Sequence, residues 1–148
     1  MPGIIVGVDD SANAKLALEW AVKEAAIRHE PLTVLTVHEV AASFWTHRPV
    51  TVPADAALLD EARKAASELA DNAAAVLTEN RPAITVKAIT GFAADELIGA
   101  SKDASLLVVG ARGSAHTSGL AGHTPLGSIS NKVLHHAFCP VVVVPTAK

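Results

Sequence analysis

Residues 105–130 read SLLVVGARGSAHTSGLAGHTPLGSIS, and this stretch decides the fold. Its apolar run, 106–109, is too short for a typical helix and rich in valine, so it predicts a strand buried on both faces of a parallel sheet. Glycines and small hydroxyl residues follow, ahead of a segment that predicts a helix. Glycine allows close backbone approach and a helix start presents unpaired N–H donors, so the junction predicts a phosphate site. The alternative is a glycine loop that only turns the chain.

The remaining sequence alternates short apolar runs with amphipathic segments. Strands are predicted at 3–8, 32–37, 84–89, 106–109 and 141–144, and helices at 14–28, 57–77, 93–101 and 128–136. Residues 39–53 lack a clean periodicity and predict a loop, and Thr90 with Gly91 predicts a turn. The alternation predicts one α/β domain over residues 1–148 with a parallel sheet. Ligands of such sheets bind where the strand order reverses, for which the strand ends at Asp9 and Gly110 are candidates.

Composition excludes several classes of partner. The chain has 148 residues and a net charge of −3, so it carries no basic footprint for nucleic acid. Its single cysteine, Cys139, allows neither an internal disulfide nor a CxxC pair. The start, MPGIIVGVDD, lacks the basic region and apolar length of a signal peptide, and no apolar run could span a bilayer. We therefore expect a cytoplasmic protein that binds neither nucleic acid nor membrane.

Neither a protein-built metal site nor catalysis is indicated by the residues. His135 and His136 are adjacent on a predicted helix, so they cannot both face one ligand, and no carboxylate stands at ligand spacing. Ser128 occupies the position at which a Walker A motif needs lysine, and no GxSxG elbow occurs. We expect no metal site and no enzyme.

Segments along nearly the whole chain resemble the universal stress protein family: GVDDSANAKLALEWAVKEA, VHEV, TGFAADEL, LLVVGARG, LGSIS and CPVVVVP. The most specific resemblance is to the family's ATP-binding pattern, G-x2-G-x9-G-[ST], followed one residue later by a small polar residue. Gly110, Gly113, Gly127, Ser128 and Ser130 match its fixed positions. Thirteen residues separate Gly113 from Gly127, so the glycine loop carries a four-residue insertion relative to the pattern.

This resemblance implies a Rossmann-like fold of the adenine nucleotide alpha hydrolase-like kind. Its open five-stranded parallel sheet would have the order 3-2-1-4-5, with helices on both faces. It further implies a stress-response sensor or regulator that binds ATP or a related adenine nucleotide with Mg²⁺. A homodimer is also implied, and pairing through the Val141–Val144 strand would satisfy the edge of the sheet. The alternative function is a dimeric interaction module of the same family that does not bind nucleotide.

The nucleotide-binding positions follow from the resemblance: Val8, Asp9, Glu39, Val109, Gly110, Gly113, Gly127, Ser128, Ile129 and Ser130. Asp9 would lie near ribose, phosphate or a divalent ion, although a carboxylate there could instead cap a helix. Glu39 would bind adenine through its main chain. The last four positions would close around the terminal phosphates through N–H and hydroxyl donors. Asp10, where the family often has glycine, adds negative charge beside this site.

Overall fold

The computed structural model of this chain describes residues 3–9, 12–39, 56–111 and 126–145. Strands and helices alternate strictly through these ranges. In chain order the elements are β1 (Gly3–Val8), α1 (Ala12–Arg28), β2 (Leu32–Glu39), α2 (Ala56–Ala74), β3 (Ile84–Gly91), α3 (Ala93–Ser101), β4 (Ala104–Gly110), α4 (Ser128–His136) and β5 (Val141–Val144). No helix in these ranges combines the length and apolar character needed to cross a bilayer.

The five strands form one sheet in the order β3-β2-β1-β4-β5, and every neighbouring pair is parallel. The predicted fold class and strand order are therefore confirmed. The chain builds outward from β1 through β2 to β3, and then crosses to the other side of β1 for β4 and β5. The strand order thus reverses between β1 and β4, and a crevice at their carboxyl ends is where such sheets bind ligands.

Apolar side chains cover both faces of the sheet. On one face α1 and α2 pack on the strands, with Val6, Leu18 and Val108 fully buried between them. On the other face α3 and α4 pack together, and Leu107 and Val133 lie in that core. Burial on both faces explains why the central strands β1 and β4 read as nearly continuous apolar runs.

Several predicted boundaries differ from the observed ones: α1 begins at Ala12 rather than Ala14, α2 ends at Ala74 rather than Leu77, and β4 spans Ala104–Gly110 rather than 106–109. The ends of β2 and β3 changed because the two strands pair. The turn predicted at Thr90 and Gly91 is wrong, because both residues continue β3 and pair with His38 and Glu39 of β2. The loop predicted at 39–53 begins one residue later, since Glu39 ends β2, and residues 40–53 lie outside the described part of the chain. Pairing partners on an adjacent strand thus extended both elements beyond their sequence patterns.

The C-terminus of α1 is closed by a residue in the left-handed region. His29 has φ 57°, its N–H donates to the Ala26 carbonyl at 3.4 Å, and the Glu30 N–H donates to the Ala25 carbonyl at 3.1 Å. This pair of bonds is the Schellman motif, whose left-handed position is usually glycine. A residue with a Cβ atom is disfavoured there by about 1 kcal/mol.

We expect His29→Gly to stabilise the protein by about 0.5–1 kcal/mol, because glycine removes the steric cost of this conformation. Chemical denaturation would measure the gain, which corresponds to a rise in Tm of about 2 °C. Lys23→Gly is the matched control, since Lys23 is exposed within α1 and glycine there should cost about 1 kcal/mol. Equal destabilisation by both substitutions would contradict this account of His29.

Candidate functional site

Several predicted site residues come together at the carboxyl edge of the sheet. Val8 is the last residue of β1 and Asp9 follows it, while Gly110 ends β4 and Glu39 ends β2. Because β1 lies between β2 and β4 and all three strands run in the same direction, these residues share one edge. Val109, the residue before Gly110, is buried against the face that α3 and α4 cover.

The start of α4 is fixed against the end of β4 by hydrogen bonds. The Gly127 N–H donates to the Ala111 carbonyl at 2.7 Å, and the Ser130 hydroxyl donates to the Gly110 carbonyl at 2.5 Å. Ser130 is only 4% exposed, so its bond is shielded from water. The first turn of the helix therefore lies directly beyond the carboxyl end of β4.

This arrangement leaves a defined set of donors at the helix start. Gly127, the N-cap, is extended at φ −67° and ψ 162° and makes no side-chain cap, and the first intrahelical bond runs from the Asn131 N–H to its carbonyl at 3.0 Å. The N–H groups of Ser128, Ile129 and Ser130 consequently have no acceptor within α4. Together with the positive end of the helix dipole, they form a place that favours an anion.

The predicted donors differ in their availability. The Gly127 N–H and the Ser130 hydroxyl already donate to carbonyls of the chain, so their role is to position α4. Ser128 is exposed, and its hydroxyl and N–H both stand at the first position of the helix. Gly113, Asp10 and the predicted four-residue insertion lie outside the described residues.

A cleft of about 410 Å³ adjoins this edge between the strands and α2. The strands contribute Val8, Asp9 and Thr36, and Val8 and Thr36 are register partners on β1 and β2. Six residues of α2 form the opposite wall: Ala62, Ala65, Ala66, Glu68, Leu69 and Asn72. The sequence pattern showed only that the alanines and Leu69 share a helix face, and it gave no sign that Glu68 and Asn72 border a cleft.

The cleft and the helix start differ in charge. Asp9 and Glu68 give the cleft two carboxylates, and none of its described lining residues is a cation. An anionic group is therefore disfavoured in the cleft and favoured at α4. On the side of α4 that faces α3, Lys132 forms an ion pair with Asp95 at 2.7 Å, which is exposed and contributes little stability.

Metal ligands are not clustered in the part of the chain that the structure describes, where no group of three His, Cys, Asp or Glu residues could hold an ion. A divalent cation at Asp9 would therefore need further oxygen ligands, which nucleotide phosphates and water can supply.

Shifted pKa values occur away from this edge. Burial raises the pKa of the Cys139 thiol, which packs beside the α3–α4 core, so it stays protonated and is a poor nucleophile. A hydrogen bond from Arg63 and the charge of Lys64 lower the pKa of Asp60, which lies on the exposed surface of α2. Neither group takes part in the site described above.

The sequence model of the universal stress protein family matches residues 2–145. The chain belongs to the universal stress protein family. Universal stress protein Rv2623 of Mycobacterium tuberculosis is 36% identical over 151 residues, which cover 96% of this chain and 47% of that protein. This chain thus spans about half the length of the curated relatives that it matches.

Solved structures of the same family share this fold. Universal stress protein UspA from Lactobacillus plantarum superposes with a TM-score of 0.74 at 27% identity, covering 97% of each chain. A universal stress protein in complex with cAMP gives 0.66 at 23% identity and covers 99% of this chain and 98% of its own. The Archaeoglobus fulgidus protein in complex with dAMP gives 0.65 at 21% identity, with 97% and 98% covered. At 23% and 21% identity, the structural similarity to these two complexes establishes a common fold.

We expect Ser130→Ala to destabilise the protein by about 1–2 kcal/mol, because it leaves the Gly110 carbonyl without its hydroxyl donor. Urea denaturation would measure the loss. Ser128→Ala, two residues earlier and exposed, is the control and should change stability by less than about 0.5 kcal/mol. Equal stability of the Ser130→Ala and Ser128→Ala variants would show that the buried bond does not hold the start of α4.

Proposed function

We propose that this universal stress protein domain binds ATP or a related adenine nucleotide and acts as a stress-response sensor or regulator in the cytoplasm. The phosphates would accept hydrogen bonds from the N–H groups of Ser128, Ile129 and Ser130. The observation that carries the proposal is the position of these groups, just beyond the end of β4 and beside the reversal of strand order. Both features favour an anionic ligand at that point.

The other predicted residues take roles that fit their positions. Asp9, at the end of β1, would contact the ribose or a Mg²⁺ ion carried by the phosphates. Val8, Val109 and Gly110 would line the bound sugar and phosphates, and the main chain of Glu39 would meet the base. Gly113 completes the proposed set.

Relatives support an adenine nucleotide as the ligand. Two solved universal stress proteins of the same fold are complexes with cAMP and dAMP. Their identity to this chain is low, so the proposal rests mainly on the geometry of α4 and β4.

We propose that bound nucleotide changes the conformation or the partner binding of the protein, and that the protein does not act by turning the nucleotide over. A phosphate at the start of α4 would stabilise that turn, which is bonded to β4 and linked to α3 through Lys132 and Asp95. The position of the Walker lysine is occupied by Ser128, so we propose that any ATP hydrolysis is slow and incidental.

Ser128→Pro tests the main-chain contact directly. Proline is well accepted at the first position of a helix, and the extended Gly127 is compatible with a following proline. The substitution removes the N–H and the hydroxyl of Ser128, whereas Ser128→Ala removes only the hydroxyl. We expect the Kd for ATP to rise about 10- to 100-fold in the proline variant, because a hydrogen bond to a charged phosphate is lost, and to rise less in the alanine variant.

The measurement is calorimetric titration of the wild type and both variants with ATP, AMP and cyclic AMP, with and without Mg²⁺. Circular dichroism would verify that α4 remains helical in the proline variant. Equal affinity of the two variants would place the phosphates elsewhere. No heat and no shift in Tm with any nucleotide for the wild type would overturn the sensor proposal.

A homodimer through β5 forms the second part of the proposal. β5 is an edge strand of the sheet, and the N–H groups of Leu107 and Ala111 donate to the Pro140 and Val144 carbonyls. Alternate residues of a parallel strand bond to opposite neighbours, so Val143 presents its N–H and carbonyl to the free edge. Exposed Leu134 and Phe138 lie just before β5 in the chain and add apolar surface.

We expect Val143→Pro to dissociate the dimer, because it removes an edge-facing N–H without removing a bond to β4. Val143→Ala keeps the N–H and is the matched control. Sedimentation velocity at micromolar concentration should show a dimer for the wild type and the alanine variant and a monomer for the proline variant. A dimeric proline variant would exclude pairing through this edge, and a monomeric wild type would exclude the homodimer.

A dimeric interaction module without nucleotide is the second candidate function. The lengthened glycine loop, with thirteen residues in place of nine, favours it. It is supported if sedimentation shows a dimer while calorimetry shows no binding of any nucleotide.

A further inference from the structure

The described sheet has a second free edge at β3, on the opposite side from β5. β3 has eight residues, whereas β5 has four. The Leu32 N–H donates to the Ala83 carbonyl at 2.9 Å, and Leu32 is the register partner of Ile84. Because alternate residues of a parallel strand bond to opposite sides, every second residue of β3 turns its N–H and carbonyl away from β2. These outward residues are Ile84, Val86, Ala88 and Thr90.

The two edges differ in the charge that they carry. Lys87 lies in the middle of β3 and is exposed, whereas all four residues of β5 are valine. Lys87 is the register partner of Leu35, so its side chain lies on the face of the sheet that contains Leu35 and the α3–α4 core. None of the ion pairs among the described residues involves Lys87. A lysine within an edge strand opposes pairing of that edge with another chain.

Pairing of β3 with a second copy of the chain would bring this charge against itself. An antiparallel pair that uses all four outward residues aligns Ile84 with Thr90 and Val86 with Ala88. Lys87 of one copy then lies opposite Lys87 of the other, at a non-hydrogen-bonded position, where side chains are closest. Like charges directly opposite one another destabilise an antiparallel pair. If the two-fold axis shifts by one residue, one outward residue falls outside the paired strands, and the two lysines remain diagonal neighbours at about 7–8 Å.

The β5 edge carries no charge at the corresponding place. The Leu107 N–H donates to the Pro140 carbonyl and Leu107 is the register partner of Val141, so Val141 and Val143 are the outward residues of β5. An antiparallel pair of two copies would align Val141 with Val143, so that only valine side chains meet. If both edges could pair with themselves, dimers formed through β5 would join through β3 into an open chain of molecules.

We propose that Lys87 prevents the β3 edge from pairing with a second copy and thereby confines self-association to β5. The effect at β3 is independent of the proposed homodimer, whereas confinement to β5 rests on it. The lysine acts through its charge at the centre of the edge, so pairing depends on the charges that both copies carry at this position.

Substitutions in a Val143→Pro background test β3 while association through β5 is blocked. Lys87→Val replaces two opposed charges with two opposed valines, so we expect the association constant for dimer formation to rise about tenfold. Thr85→Val is the matched control, because Thr85 is exposed on the same face of β3 and carries no charge. It should change association by less than about twofold. Sedimentation velocity from micromolar to millimolar concentration would measure association, and circular dichroism would verify the fold of each variant.

Reversal of the charge separates repulsion between lysines from a general effect of a polar side chain. In the same background, Lys87→Glu alone should remain as weakly associated as the parent, because two glutamates also repel. An equal mixture of the parent and Lys87→Glu should associate about tenfold more strongly than either alone, since lysine then lies opposite glutamate. Ala88→Pro added to Lys87→Val should abolish pairing, because it removes an outward N–H and no bond to β2.

Each outcome bears on Lys87 separately from the homodimer. Equal association of Lys87→Val and Thr85→Val, or no gain in Lys87→Val and in the charge-reversed mixture, would overturn the role of Lys87. Association that survives Ala88→Pro would place the contact outside β3 and overturn it too. With Val143 unchanged, Lys87→Val should form assemblies larger than a dimer. A monomeric wild type with a dimeric Lys87→Val variant would exclude the homodimer and leave the effect at β3 supported.

Discussion

The hydrogen bonds between the end of β4 and the start of α4 are the constraint on which the proposed site depends. A strand that ends at Gly110 leaves carbonyl groups without ladder partners, and polar groups near a core need acceptors or donors. Ser130 and Gly127 supply those donors, so the helix must begin immediately above the strand. The N–H groups that the helix itself cannot satisfy are thereby held at the carboxyl edge, where the strand order reverses.

The same junction relates the site to the edge of the sheet. The Ala111 carbonyl accepts the Gly127 N–H of the α4 start, while its N–H donates to the Val144 carbonyl of β5. One residue therefore bonds both to the helix start that would hold phosphate and to the strand that would pair in a dimer. A displacement of α4 would alter the backbone groups on either side of Ala111. These two bonds give a direct route by which nucleotide binding and association could influence one another.

Much of this architecture could be predicted from the sequence, because burial on both faces produces apolar runs such as residues 106–109 that are typical of a parallel sheet. The position of Asp9 and Gly110 at one edge could also be predicted from the sequence, because the carboxyl ends of parallel strands lie at the same edge of a sheet. Interpretation of Thr90 and Gly91 as a turn failed because strand pairing with β2 outweighed the local signal of glycine. The hydrogen bond from the Ser130 hydroxyl to the Gly110 carbonyl could not be predicted either, because a serine near glycines can donate to a ligand or to the backbone.

The wall of the cleft shows why a helix face is harder to interpret than a loop. Ala62, Ala65 and Leu69 have the spacing of core residues, and periodicity cannot distinguish a face covered by the sheet from one that borders a cleft. Only the position of α2 relative to β1 and β2 reveals that polar residues one turn apart, Glu68 and Asn72, lie along that border. Sequence motifs therefore indicate where this family domain would hold phosphate, because glycine and helix starts are locally encoded. The cleft depends on the packing of α2 against the strands, so it becomes visible only when the elements are assembled.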